Sequence, residues 1–380
     1  MTESRIDALS AAGTSVWLDD LSRDMLDSGE LRRLITERGI SGVTTNPSIF
    51  AASISSSEQY RAALADFLVS AASEVPESAS GLPSAADAAL ALICDDVTAA
   101  CDELLEIFEA SDGRDGRVSI EVDPRLAHDS AATLAQAEQL WKRIARPNLL
   151  IKIPATEAGL IAIAQAIGTG ISVNATLLFG LPRCRQLVNA YFTGLETARK
   201  AGLDLGSITA VASVFVSRFD GRLDPQLDAL GTPEAIALRG RAGIANARLA
   251  SEIFEKSTRS ARAQLLFARG ARPLRPLWAS LGTKDDRLPD TWYLTELAIA
   301  GTVCTVPRST LDAYAEHGEV PNQSATGWRE ADQLWNALDG LGIDYTETVE
   351  RLEIEGIERF TAAWDDLLAQ VQREFEAAAR

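Results

Sequence analysis

Eight short apolar runs, each followed by a stretch with helical spacing, constrain this chain more than any other feature. They are Val16–Asp20, Gly42–Pro47, Val118–Asp123, residues 149–153, Ile171–Phe179, Ala210–Phe215, Pro276–Ser280 and Thr302–Val306. Strands that alternate with helices pair in parallel, because each crossover must carry the chain back to the same edge. Eight of them suit a closed (β/α)8 TIM-type barrel, although an open doubly wound sheet shows the same local pattern. Barrels of this kind run to more than about 250 residues as one unit, so residues 1–380 are read as a single α/β-barrel domain.

Between the strands, Ser28 is expected to cap a helix carrying Leu31, Leu34 and Ile35, which Gly39 ends. Residues 58–110 read as helical with a loop at Pro76–Pro83, a longer connection than a crossover needs. A helix starts near Ser130, another spans Gly159 to Ile167, and Pro182 sits in the first turn of a third. Thr232-Pro233 opens a long helical region to about Arg269, and the chain is helical again from about Trp328.

The fourth run, Leu149-Leu-Ile-Lys-Ile-Pro-Ala-Thr156, holds one charge among apolar neighbours. With a two-residue period, Lys152 shares a face with Leu150, and both faces are apolar, as in a strand covered on both sides. Desolvation can lower a buried lysine pKa by up to about 3–5 units, and a neutral lysine attacks carbonyls. The alternative is a lysine that reaches past the strand end to water or a carboxylate.

Other strands also carry polar residues at or near their C-terminal ends: Asp19, Thr44 and Asn46, Glu121, Asn174 and Thr176, Ser213 with Arg218, and Ser280. In a barrel such ends meet at one mouth, where active sites lie. A lysine, carboxylates, amides and hydroxyls together suit imine chemistry. Singly, each has a plainer account. Asp19 or Asp20 suits a helix N-cap, Glu121 a partner for a buried arginine at the barrel base, and Asn46-Pro47 a turn. Asn174 inside an apolar strand is less easily dismissed, because a buried amide must find partners. Arg218 and Lys284 taken singly suit solvated charges, and His128 and His317 structural roles.

Composition narrows the partners. A net charge of −18 repels nucleic acid and anionic lipid, so an anionic substrate needs a local basic pocket. No apolar run approaches the ~20 residues of a membrane helix, and the first residues show no secretory leader. Four scattered cysteines and two histidines make no zinc spacing, Cys94 and Cys101 suit a buried helical stripe, and a cytoplasmic location is expected. Gly168-Thr-Gly170 is not a dinucleotide fingerprint and no phosphate-loop motif occurs. A pyridoxal phosphate imine stays open on chemistry alone, without a recognisable phosphate cup.

The wording of the segments carries more. Leu18-Asp19, Gly42-Val-Thr44-Thr45-Asn46-Pro47-Ser48, Ser119-Ile-Glu121-Val-Asp123-Pro-Arg-Leu126 and Leu150-Ile-Lys152-Ile-Pro-Ala-Thr156 resemble transaldolase motifs. So do Val173-Asn174-Ala-Thr176-Leu-Leu-Phe179, Ala212-Ser213-Val-Phe215-Val-Ser217-Arg218 and Trp278-Ala-Ser280-Leu-Gly-Thr-Lys284. Order and approximate spacing agree over roughly residues 15 to 320. The length, the Ser280 to Lys284 segment and Glu316-His317-Gly318-Glu319 resemble the longer bacterial, actinobacterial-type branch.

The resemblance implies transfer of a dihydroxyacetone unit from sedoheptulose 7-phosphate to glyceraldehyde 3-phosphate, in the non-oxidative pentose phosphate pathway. The products would be erythrose 4-phosphate and fructose 6-phosphate, with no metal or organic cofactor. Lys152 matches the Schiff-base lysine, Asp19 the acid/base, and Glu121 with Thr176 the holders of a catalytic water. Asn46 and Asn174 match amides that hold the dihydroxyacetone unit, and Thr44, Ser213 and Ser280 smaller contacts. Phe215 matches a pocket aromatic and Arg218 a phosphate-binding arginine. Lys284 stands where shorter relatives place an arginine, followed by Asp285-Asp286, which adds negative charge there. A class I fructose-6-phosphate-type aldolase releasing free dihydroxyacetone, and a non-catalytic acidic barrel scaffold, are the alternatives. Monomer and homodimer stay equally open.

Overall fold

The computed structural model describes residues 4–74, 84–320 and 327–378. The expected loop at Pro76–Pro83 lies outside the described residues. Eight strands form a closed barrel in chain order: β1 Ser15–Leu18, β2 Gly42–Thr44, β3 Arg117–Glu121, β4 Leu149–Pro154, β5 Val173–Leu178, β6 Ala210–Phe215, β7 Arg275–Ala279 and β8 Val303–Val306. All pairs are parallel, and β1 closes on β8 from Ser15↔Val303 to Leu18↔Val306. An open sheet is thereby excluded.

The pleat sorts each strand into two populations. Trp17, Leu150, Val211, Leu277 and Val303 cluster together, whereas Val16, Leu18, Leu149, Ile151, Val173 and Ala210 pack in a second cluster with the surrounding helices. Residues two further along the first set are Asp19, Lys152, Ser213 and Thr305. The same parity therefore plugs the lower lumen with apolar groups and lines its mouth with polar ones.

Register aligns the chemistry. Glu121 is paired with Lys152 across β3 and β4, and Lys152 with Asn174 across β4 and β5. Neighbours in register lie ~4.8 Å apart, so three polar side chains form one row around the wall. At the opposite end, the Asp115 carboxylate accepts from Trp17 Nε1 at 3.2 Å and pairs with Arg275 at 2.9 Å. Arg117 Nη2 donates to Thr209 Oγ1 at 2.9 Å. The buried arginines at the base thus have their own partners, and Glu121 is not among them.

Some helix boundaries differ from expectation. Ser28 ends a short helix, Arg23–Asp27, and the helix Glu30–Arg38 starts after Gly29 in the left-handed region at φ +69°. The preceding turn needed that chain reversal, so the serine hydroxyl donates backward to Met25 O rather than capping forward. The helical region expected to about Arg269 consists of three helices: Pro233–Ile236, Ala242–Thr258 and Ala261–Phe267. Gly240 at φ +64° breaks the first junction, and Ser260 caps the third piece through Ala263 N. Cys94 and Cys101 are buried on the helix Ala85–Glu103, as their spacing implies.

The chain after the barrel makes two helices, Trp328–Gly340 and Tyr345–Ala378. The second, 34 residues long, packs on the helices Pro47–Ser56, Glu58–Glu74 and Ala85–Glu103. The long connection between β2 and β3 therefore has a physical purpose, since it forms the bed for the C-terminal helix.

One barrel position tests this packing. A Cβ on Gly42 would lie 2.6 Å from the indole carbons of Trp17, which is fully buried. Gly42→Ala should cost about 1–3 kcal/mol by overpacking. We expect a lower thermal midpoint; an unchanged one would show that Trp17 can move aside.

Candidate active site

Lys152 reaches the mouth through the last residues of β4, with its side chain 5% exposed. Its Nζ donates to the backbone carbonyl of Thr45 at 2.9 Å and lies 3.4 Å from Glu121 Oε2. Thr45 is itself fixed, its hydroxyl donating to Ser119 O at 2.9 Å. The amine is therefore neither solvated nor extended past the strand end. It sits in the wall, aimed inward.

Asp19 comes from the end of β1 and accepts from Thr44 Oγ1 at 3.0 Å and Asn46 Nδ2 at 3.5 Å. Asn46 is also the N-cap of the helix Pro47–Ser56, its Oδ1 accepting from Ile49 N at 3.2 Å. The capping role and the site role coexist because an amide has both an acceptor and a donor end. Burial raises the Asp19 pKa against the lowering effect of Lys152, Thr44 and Asn46. Asp20 is also raised, by burial and then by the Asp19 charge, and it borders the cleft further out. Asp19, not Asp20, has the parity of Trp17 and points inward.

Beneath the amine, Asn174 is fully buried and satisfied at both ends. Its Nδ2 donates to Ser119 Oγ at 3.0 Å, and its Oδ1 accepts from Ser213 Oγ at 2.6 Å. Glu121 is different. Its pKa is pushed up to about 7, chiefly by burial, with Lys152 pulling the other way. Neither carboxylate oxygen has a hydrogen-bond partner, and neither does the buried Thr176 hydroxyl. Buried polar atoms without hydrogen bonds are costly, and Glu121 Oε1 and the Thr176 hydroxyl have no partner of any kind, which marks a place for a polar guest.

The mouth opens into a cleft of about 480 Å³ lined by Asp19, Thr44, Asn46, Lys152, Thr176, Ser213, Phe215, Arg218 and Ser280, within the range of small-molecule sites. Ser280 Oγ and Ser217 Oγ are 2.9 Å apart at its edge. Two residues here hold left-handed backbone without being glycine: Leu177 at φ +56°, beside a bulge that follows Thr176, and Ser280 at φ +58°. Such conformations cost of order 1–3 kcal/mol each and gather at functional sites.

Lys284 does not line this cleft. It borders an adjoining recess with Ser217 and Asp220. Its pKa is nonetheless lowered, first by Arg218, then by burial and Arg359, and that of Arg218 is lowered by burial and Arg359. Three cations therefore repel one another at this edge. The expected negative charge of Asp285 is spent elsewhere, on Arg239 at 2.7 Å and Arg287 at 2.8 Å.

Several site residues lay outside the sequence reading: Thr305 on β8 and Arg308 just after it line the cleft, and two more lie on the helix Tyr345–Ala378. Arg359 joins the cation group, and Phe360 sets its ring 5.4 Å from Lys152 Nζ. The available signal was an apolar stripe of Leu352, Phe360, Trp364, Leu367 and Val371, which reveals a buried face but not what it covers. Among the described residues, no three His, Cys, Asp or Glu side chains come together to hold a metal, and no helix is long and apolar enough to cross a membrane.

A family model described as Transaldolase/Fructose-6-phosphate aldolase matches residues 16–371. Transaldolase 1 of Streptomyces coelicolor is 50% identical over 377 residues, covering 99% of this chain and 96% of that protein. A transaldolase of Kocuria rhizophila is 50% identical over 371 residues, covering 97% and 98%. A transaldolase of Mycobacterium marinum is 50% identical over 379 residues, covering 98% of each. With likeness of that depth over nearly the whole length, and a lysine set among carboxylates at a barrel mouth, the chain belongs to the transaldolase/fructose-6-phosphate aldolase family and sides with its transaldolases.

Proposed function

We propose that the enzyme moves a dihydroxyacetone unit from sedoheptulose 7-phosphate to glyceraldehyde 3-phosphate through an imine on Lys152. The observation that carries this is the amine itself, buried 3.4 Å from one carboxylate and in electrostatic contact with a second. We read the chain as a single domain, a reading supported by the return of the C-terminal helix to the barrel mouth. The four cysteines are free and buried, which fits the reducing cytoplasm as the compartment.

The Lys152 amine attacks the C2 carbonyl of the donor ketose, and the carbinolamine loses water to give an iminium. Glu121 and Thr176, with their unpaired oxygens, hold the water that relays these protons. Asp19 takes the proton from the C4 hydroxyl. The C3–C4 bond breaks, its electron pair flows towards the iminium nitrogen, and erythrose 4-phosphate leaves. The raised Asp19 pKa suits a group that must both accept and return a proton. The enamine then adds to the aldehyde carbon of glyceraldehyde 3-phosphate, Asp19 gives the proton back to the new hydroxyl, and water releases fructose 6-phosphate.

Asn46, Thr44 and Ser213 face the cleft, where they hold the hydroxyls of the three-carbon unit. Asn174 fixes the row beneath and supports the imine. Arg218, Lys284 and Arg359 receive the phosphate of donor and acceptor. Their mutual repulsion is relieved when a dianion enters, a gain spent on orienting the distant reacting carbon.

Borohydride added with fructose 6-phosphate should leave a covalent adduct on Lys152, located by peptide mass mapping. An adduct on another lysine defeats the assignment. Asp19→Asn should still be trapped, while carbon–carbon cleavage falls by about 10²–10⁴-fold; equal loss of both steps would remove Asp19 from its role.

A carboxyl with a pKa raised to about 7 is mostly neutral below that pH and charged above it. If the carboxylate form of Glu121 activates the water, kcat/KM should rise with pH through about 7. Glu121→Gln should lower the rate and abolish that limb. An unaltered limb in the variant would assign it to another group.

Screening acts on the partly exposed cations of the mouth. The KM for sedoheptulose 7-phosphate should therefore grow with ionic strength, and grow less in Arg359→Gln. A KM independent of salt would reject the proposed phosphate contacts.

A further inference from the structure

An enamine on Lys152 has two fates: it can attack an aldehyde, or take a proton and be hydrolysed. Which one prevails depends on the water that reaches it. The barrel wall protects it from below, where Leu150 and Trp17 fill the lumen. From above, Phe360 is the apolar side chain that faces the amine, with its ring centroid 5.4 Å from Nζ and the residue only 8% exposed. The geometry points to Phe360 as the residue that sets the balance of transfer over hydrolysis, by denying water to the enamine. The inference rests on the Schiff-base reading above.

Three features hold this ring in place. Its neighbour Phe215, at the end of β6, meets it edge-on at 6.2 Å between centroids. Phe215 continues a run of ring contacts through Phe179 at 5.5 Å, Phe219 at 6.3 Å and Trp335 at 5.8 Å to Tyr345 at 4.7 Å, the first residue of the same helix. A chain of tilted and edge-on rings resists displacement better than one contact, because moving any member disturbs the next.

The second feature is Gly356, one turn before Phe360 on the same helix face. A Cβ there would meet Leu177 at 3.2 Å and Phe179 at 3.3 Å, so glycine lets the helix settle closely against the strand end that carries Thr176. The third is the bed described above. Arg61 pairs with Glu374 at 3.2 Å, tying the far end of the helix to the segment between β2 and β3. A ring needed only to fill space would not require its helix fixed at both ends and pressed against the mouth.

The chemistry that Phe360 restrains is balanced as follows. The enamine carbon takes a proton from the Asp19 carboxylic acid, giving the iminium of dihydroxyacetone. Water adds to C2 and gives a proton to Glu121. The C–N bond then breaks, the amine leaves with a proton, and the C2 hydroxyl becomes the ketone. The water consumed replaces the one lost when the imine formed.

The experiment uses the full chain and fructose 6-phosphate. Free dihydroxyacetone released without acceptor is compared with sedoheptulose 7-phosphate formed when erythrose 4-phosphate is present. In Phe360→Ala the ratio of release to transfer should rise at least tenfold, with Lys152 still trapped by borohydride. Phe360→Leu should move the ratio in the same direction by less, and Phe360→Trp should return it towards the parent value. Phe360→Leu also serves as the test if the alanine variant does not fold.

Transfer and release falling in equal proportion in both truncations would overturn the proposal, because a ring that merely supports the fold affects both fates alike. Failure of the parent enzyme to trap on Lys152 would instead remove the Schiff-base reading, and this inference with it. The two failures are thus read from different samples.

Discussion

The contact on which everything else turns is a short one: Lys152 Nζ against the carbonyl of Thr45, with Glu121 3.4 Å away. A buried ammonium is expensive unless it is paired, and a buried carboxylate likewise. Here the pair is imposed by parallel register, which places Glu121, Lys152 and Asn174 side by side at one height of the wall. The pairing is incomplete, however. Neither Glu121 oxygen has a hydrogen bond within normal geometry, and burial pushes its pKa up to about 7, so the contact with Lys152 is a long and strained ion pair rather than a settled one. Closure of β1 on β8 then brings Asp19 to the same space from the other side of the barrel.

The eight strands and their polar ends were legible because both follow from local rules. A two-residue pleat sorts Leu150 from Ile151, and a proline or a polar residue marks where a strand stops. Closure itself followed from counting, and the register then converged residues far apart in the chain. The failures have physical reasons as well. Ser28 has the right chemistry for a forward cap, but Gly29 reverses the chain first. The helices between Pro233 and Phe267 share one apolar period, so the breaks at Gly240 and Ser260 were hidden by continuity of pattern. Asp285 read as a charge against phosphate, and only the fold brings Arg239 to neutralise it.

Two of the residues missed, Arg359 and Phe360, show what a pattern cannot say. An amphipathic stripe reports that a face is buried; it carries no address for the surface beneath. The address came from two other parts of the chain. Gly356 allows close approach to Leu177 and Phe179, and the segment between β2 and β3 provides the helix with a surface to lie on. Neither would be singled out without knowing the destination.

Electrostatics and strain work together at the mouth. The protein carries a net charge of −18, yet Arg218, Lys284 and Arg359 share one edge, where burial and then Arg359 lower the Arg218 pKa, and Arg218 and then burial lower that of Lys284. Crowded cations cost stability in the empty enzyme, as do the left-handed backbones of Leu177 and Ser280. Both costs fall at or beside the cleft: Ser280 at its rim, Leu177 next to Thr176. The aromatic run from Phe360 to Tyr345 and the apolar lumen around Trp17 supply rigid packing on either side, and Leu177 packs in the same cluster as Phe179 and Phe215. A mouth built in this way is preorganised for a charged, polar guest, because the molecule bears the unfavourable terms before the guest arrives and recovers part of them upon binding.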